Sequence, residues 1–177
     1  MAHDPTNCML SSIDSTIDTL HALTDSWDVM FVQLQERQLS QAEFDEYIRT
    51  KVNPAINARL ASIRATLLAA LQSLYKQFKI VSDSVKPITE ADPTDLQSVI
   101  STVKNIIKWF KTAYEALQEF LTLLPSHLSD LTDAISSVVS YTPPIHGYDT
   151  GALSIHMESI TMSDITGGGS EEPQEEQ

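Results

Sequence analysis

Glycine is missing from the first 146 residues of this chain, and all five glycines fall in the last 31. Phosphate-cradling loops and dinucleotide fingerprints need glycine for positive φ and for close approach of backbone to ligand, so the long glycine-free stretch excludes both. Cysteine is represented by Cys8 alone, which rules out an intramolecular disulfide framework or a multi-cysteine zinc site and makes a reducing compartment the default. Beyond Lys111 there are eleven acids and no Lys or Arg, so a large cationic footprint for nucleic acid is not expected. Apolar runs are short, none approaching the roughly 18–20 residues that cross a bilayer. The N-terminus carries neither a basic stretch nor an apolar one and does not read as a secretory signal, so synthesis in the cytoplasm is expected.

What is present suits one helical domain with a tail. The 177 residues fit the size of a single compact domain. The net charge of −13 is unevenly spread: residues 1–50 hold nine acids and two bases, residues 51–90 six bases and two acids. An acidic first helix beside a basic second one favours their antiparallel pairing. Exposed ion pairs are each worth only about 0–1 kcal/mol, so the apolar seams must supply most of the stability.

Those seams are explicit. Ile13, Ile17, Leu20, Thr24, Trp27, Phe31 and Leu34 alternate at spacings of four and three, predicting a helix over 11–38. Ser40 with Glu43 matches a capping box and opens a short helix over 41–52. Asn53-Pro54 then reads as a new helix start or as a kink within one long helix. Ile56, Leu60, Ile63, Leu67, Leu71, Leu74, Phe78 and Val81 carry a second long helix to about Ser82. Pro87 and Pro93 mark a loop over 83–93 whose Asp92 caps a third long helix, seamed from Leu96 through Ile106, Phe110, Leu117 and Phe120 to Leu124. Pro125 is expected to stop it. Ser126 would then cap a fourth, shorter helix bearing Leu128, Leu131, Ile135 and Val138, and Pro143-Pro144 end regular helix.

The remainder changes character. Leu153, Ile155 and Met157 alternate with polar residues before Ile160 and Met162 resume on the other parity, predicting a strand with a bulge near Glu158-Ser159. Leu153, Met157 and Ile160 also fit one helical face, which leaves a helix open. The last residues, with three glycines, Pro173 and four glutamates, have a disordered composition. The expected fold is therefore all-α: an up-and-down bundle of three long helices plus one or two short ones, an extended arm and an acidic tail. Its parts are a flexible lead over 1–10, the bundle over 11–141, the arm over 142–166 and the tail over 167–177.

Chemistry-bearing patterns are sparse. No nucleophile elbow, P-loop, His-Glu-x-x-His or Cys-x-x-Cys occurs, so neither catalysis, a cofactor nor a small-molecule substrate is expected. His146 and His156 share the arm with Asp149 and Glu158, and would need a symmetry axis to converge on a metal; ordinary surface histidines are the simpler expectation. Asp14, Asp18, Asp25 and Asp28 form an acidic face suited to solubility or to occupying a basic site on another protein. Lys104, Lys108 and Lys111 share a face of a helix carrying Trp109 and Phe110. A membrane-surface helix looks like this, and so does a bundle helix with a solvated lysine face.

Ser and Thr number 36 of 177, giving weakly charged faces that pack against another subunit with little desolvation cost. The arm is the strongest candidate for function, since an isolated alternating segment leaves backbone groups unpaired unless a partner supplies an edge; an arm folded back onto its own bundle, or a mobile one, is the other reading. Leu153, Ile155, Met157, Ile160 and Met162 are its expected partner-binding residues. The whole design is similar to that of small structural components of large assemblies, phage and virus particles among them. A non-enzymatic structural or adaptor protein, forming a homo-oligomer or a larger complex, is the leading expectation. A membrane-active bundle and an acidic inhibitor or chaperone stand as alternatives.

Overall fold

A computed structural model describes residues 5–89 and 101–167. The fold is an all-α helical bundle with no strand among the described residues. Helix α1 (Pro5–Gln35), α2 (Gln41–Tyr47), α3 (Asn53–Thr89) and α4 (Ser101–Val139) are followed by an irregular arm and a one-turn helix, α5 (Met162–Thr166). Three of these helices are long, as the seams require. Two compact units are distinguished, one of Ser12–Leu68 with Leu128–Ile160, the other of Met1–Ser11, Ala69–His127 and Thr161–Gln177.

Helix α1 starts earlier than expected, at Pro5, because proline in a first turn has no helical hydrogen bond to lose. It closes through Arg37 N–H to Leu34 O (3.1 Å) and Gln38 N–H to Gln35 O (3.2 Å). Gln38 sits at φ 56°, a left-handed position where helices usually place glycine; this glycine-free region has none to offer. Ser40 and Glu43 then form the expected capping box, with Glu43 N–H donating to Ser40 Oγ (3.1 Å) and Ser40 N–H to Glu43 Oε1 (2.9 Å).

The Asn53-Pro54 junction is resolved without a break. Ile48–Val52 adopts a π-helical turn, and Asn53 N–H reaches back to Ile48 O, five residues away. Widening the helix here makes room for the Pro54 ring, which would otherwise press on the carbonyl four residues before it, and α3 continues directly. It runs to Thr89, beyond the expected end at Ser82. The cap assigned to Asp92 and the seam position Leu96 lie outside the described residues, as does the acidic tail from 168 onward.

Pro125 does not stop its helix. It lies inside α4, so the separate fourth helix expected from Ser126 is corrected to the continuation of one long element. Pro125 itself is exposed, so its ring displaces no core side chain. The apolar phase passes through it intact: Leu117, Phe120, Leu124, Leu128, Leu131, Ile135 and Val138 are all buried.

Within the unit of Ser12–Leu68 and Leu128–Ile160, Ile13, Leu20, Phe31, Phe44, Ile48, Leu60 and Leu131 are essentially inaccessible to solvent, and Ile155 and Ile160 join that core from the arm. In the other unit Leu10, Leu71, Leu117, Phe120, Leu124 and Ile165 are buried, with the Phe78 and Phe120 rings 6.3 Å apart. Residues 5–10 are helical, and Leu10 is buried.

Candidate functional site

The built polar site of this molecule is the surface that holds residues 141–160. Its root is aromatic. Tyr141 packs edge-on against Trp27 (centroids 5.3 Å, 77°) and lies 6.1 Å from Phe31, while its hydroxyl donates to Asp28 Oδ1 at 2.8 Å. Burial, reinforced by that hydrogen bond and by the Asp28 charge, holds the Tyr141 hydroxyl far above its ordinary pKa. Asp28 is therefore half-buried and engaged rather than a plain solvated acid. Further on, Tyr148 stacks on Phe44 (4.4 Å, 14°) and donates its hydroxyl to Leu39 O at 2.6 Å.

Beyond this root, helix side chains grip the main chain of the arm. Gln41 Oε1 accepts from Asp149 N–H (2.9 Å) while its Nε2 donates to Asp149 O (2.9 Å). Asn53 accepts from Ser154 N–H (2.9 Å) and donates to Ala152 O (2.9 Å). Asn57 repeats the pattern two arm residues later, accepting from His156 N–H (2.7 Å) and donating to Ser154 O (2.9 Å). Arg64 completes the series, its Nε donating to Glu158 O and its Nη2 to Ser159 O, both at 3.0 Å.

The register has a simple origin. Four residues of α-helix rise about 6 Å, and two residues of extended chain advance about 6.6 Å. Asn53 and Asn57 on one face of α3 therefore meet successive same-parity positions of an arm running in the same direction. A carboxamide carries a donor and an acceptor side by side, so each one satisfies a carbonyl and an N–H together, as a neighbouring strand would. Burying Ile155 (8% exposed) and Ile160 (3%) fixes which arm residues fall between the grips.

This replaces the expected strand. Residues 153–161 have no regular secondary structure, and Met162 begins α5. At the expected bulge, the Glu158 and Ser159 carbonyls turn to one guanidinium. Of the five residues assigned to partner binding, Ile155 and Ile160 are core residues of their own chain, and Leu153, Met157 and Met162 are half-buried. The premise of unpaired arm backbone is thus corrected: α2 and α3 supply the edge. In the other unit, Gln72 Nε2 donates to Asp164 O (2.8 Å), and α5 is closed by a Thr161–Asp164 capping box with Gly167 at φ 79°.

Gln41, Asn57 and Arg64 were not anticipated as site residues, and Asn53 was read only as a helix cap. Their signal was present: asparagine is a poor helix-interior residue, yet two stand four apart inside α3. The histidines enter these contacts through their main chain, the backbone N–H of His146 donating to Gln35 Oε1 (3.4 Å) and that of His156 to Asn57 Oδ1 (2.7 Å). Among the described residues no group of three His, Cys, Asp or Glu is placed to hold a metal, and no helix is long and apolar enough to cross a membrane. Lys108 and Trp109 are exposed, Trp109 at 62%; the side chains of Lys104 and Phe110 lie outside the described residues. A shallow cleft of about 270 Å³ runs beside the grip, lined by Ala61, Arg64, His156 and Glu158 among others. Compared with known protein families, curated proteins and solved structures, the chain matches none.

Proposed function

We propose that this chain is a non-enzymatic structural or adaptor protein, assembling with itself or within a larger complex through its bundle and its arm. The observation that supports this most is the ladder of Gln41, Asn53, Asn57 and Arg64, a built site whose polar groups are directed at the main chain of an extended segment. Side chains arranged this way recognise a peptide backbone, which is the chemistry of β-augmentation carried out from a helix. Val29 and Val32, exposed at 58% and 44% one turn apart on α1, add an apolar contact on the bundle itself.

Deleting residues 145–177 removes α5 and the buried Ile155, Ile160 and Ile165, so it is expected to keep the long helices, read by circular dichroism, at reduced stability, and to abolish assembly, read as mass in solution and as loss from the native complex. A truncated chain that assembles with unchanged stoichiometry removes the arm from the proposal. A full-length chain that stays a single molecule at every concentration and in native extracts removes the proposal itself. A membrane-surface role is supported by Trp109 beside Lys108 and Lys111, all three exposed; absence of flotation with neutral and anionic vesicles, at neutral and mildly acidic pH, would exclude it.

A further inference from the structure

We infer that the groove along α2 and α3 is a receptor for an extended segment of a second copy of this chain, and that two copies exchange their arms through it. The inference rests on the assembly reading above and names the partner. Three features carry it. The grip is aimed at backbone carbonyls and N–H groups of Ala152, Ser154, His156, Glu158 and Ser159, so an identical arm arriving from another molecule makes identical bonds. Its apolar anchors, Ile155 and Ile160, are buried, and the arm of a second copy presents the same two residues. Exchange carries α5 and its Gln72–Asp164 bond along with the arm, keeps the bonds of the grip and changes the connection, the condition under which swapped dimers form readily.

The connection has a hinge. The aromatic root at Tyr141 and Tyr148 fixes the arm up to Asp149, and the grip resumes at Ala152. Between them the chain turns tightly: Leu153 N–H donates to Thr150 O (3.0 Å) and Gly151 N–H to Asp149 Oδ1 (2.8 Å). Thr150, Gly151 and Ala152 are exposed or half-buried, so opening this turn releases two local hydrogen bonds and exposes no core residue of the turn itself. A Cβ at Gly151 would lie 3.1 Å from Asp149 Oδ1, so a β-branched residue there displaces that carboxylate, weakens its bond to the residue-151 N–H and leaves an opened turn unaffected. Weakening confined to the closed hinge shifts the balance toward the exchanged form.

The test uses full-length chains in a Cys8→Ser background. One carries Ala61→Cys in the groove and the other Glu158→Cys on the arm, positions that line the same cleft. They are mixed, refolded together at high concentration and mildly oxidised, and mass in solution is measured in parallel for the parent and for Gly151→Val. Arm exchange predicts a two-chain mass, a covalent Ala61→Cys–Glu158→Cys heterodimer in excess over either homodimer, and a several-fold larger two-chain fraction in Gly151→Val. A single-chain mass at all concentrations for both proteins overturns the inference. A two-chain mass without the heterodimer overturns arm exchange alone and leaves the assembly reading standing on another surface.

Discussion

The hydroxyl of Tyr141 donates to Asp28 Oδ1 at 2.8 Å, joining the chain just past α4, where the arm departs, to the C-terminal third of α1. The Tyr141 pKa is raised, first by burial and then by this bond and the Asp28 charge. The stability it contributes is full below the unfolded tyrosine value, about 10, and is lost as pH rises through the higher folded value. Tyr141→Phe keeps the contacts with Trp27 and Phe31 and removes the bond. We expect it to cost about 1 kcal/mol at neutral pH and to flatten the fall in stability above pH 10, measured by urea unfolding across that range.

The ladder predicts slow amide exchange in a segment that has no secondary structure. The N–H groups of Asp149, Ser154 and His156 should be protected in hydrogen–deuterium exchange. Asn53→Ala should release Ser154 selectively, and Asn57→Ala should release His156. Each substitution should cost about 0.5–1.5 kcal/mol. Because the Ser154 N–H donates to Asn53 and the Ser154 carbonyl accepts from Asn57, the double variant should depart from additivity by about 0.5 kcal/mol or more. Uniform, additive effects along the arm would contradict the pairing described.

Ser40→Ala should weaken the start of α2 by about 1 kcal/mol, the usual worth of an N-cap. The Ser40 N–H, then the Ser40 hydroxyl, and more weakly the Arg37 charge hold the Glu43 carboxyl below its ordinary pKa. Its contribution is present above the unfolded glutamate value, about 4.3, and lost as pH falls through the lower folded one. The variant should therefore show a shallower acid slope in the same unfolding measurement.

Pro125→Ala restores a backbone donor on an exposed turn of α4. Proline is about 3 kcal/mol worse than alanine inside a helix, and its stiffening of the unfolded chain returns up to about 1 kcal/mol. The net expectation is a gain of about 2 kcal/mol, read as a higher denaturation midpoint with unchanged slope. A loss of stability would mean that the local geometry Pro125 imposes on α4 is itself required by the packing.

The apolar seams made the long helices legible because a helix repeats every 3.6 residues, and any stripe that keeps its phase over many turns fits nothing else. Ile13 through Leu34 and Ile56 through Leu71 could be read directly, and Ser40 with Glu43 marked a helix start because capping is a local bond. Pro125 misled because a local rule was allowed to outrank the seam, which keeps its spacing from Leu124 to Leu128. Pro54 was ambiguous for a related reason: whether a helix breaks or widens at proline depends on whether its flanking turns are held. Ile48, Val52 and Ile56, all buried, hold them here.

The arm marks the boundary between what sequence and tertiary structure each decide. Its alternation of apolar and polar residues, and the need of its backbone for partners, belong to residues 153–162 alone. What answers that need does not, because the groups that do so, Gln41, Asn53, Asn57 and Arg64, lie about a hundred residues earlier on helices read for their apolar faces. Local sequence fixes periodicity and caps, since those bonds close within one turn. Only the packed chain sets the roughly 6 Å helical step beside the two-residue step of an extended segment, and that coincidence turns two half-buried asparagines into a grip on peptide backbone.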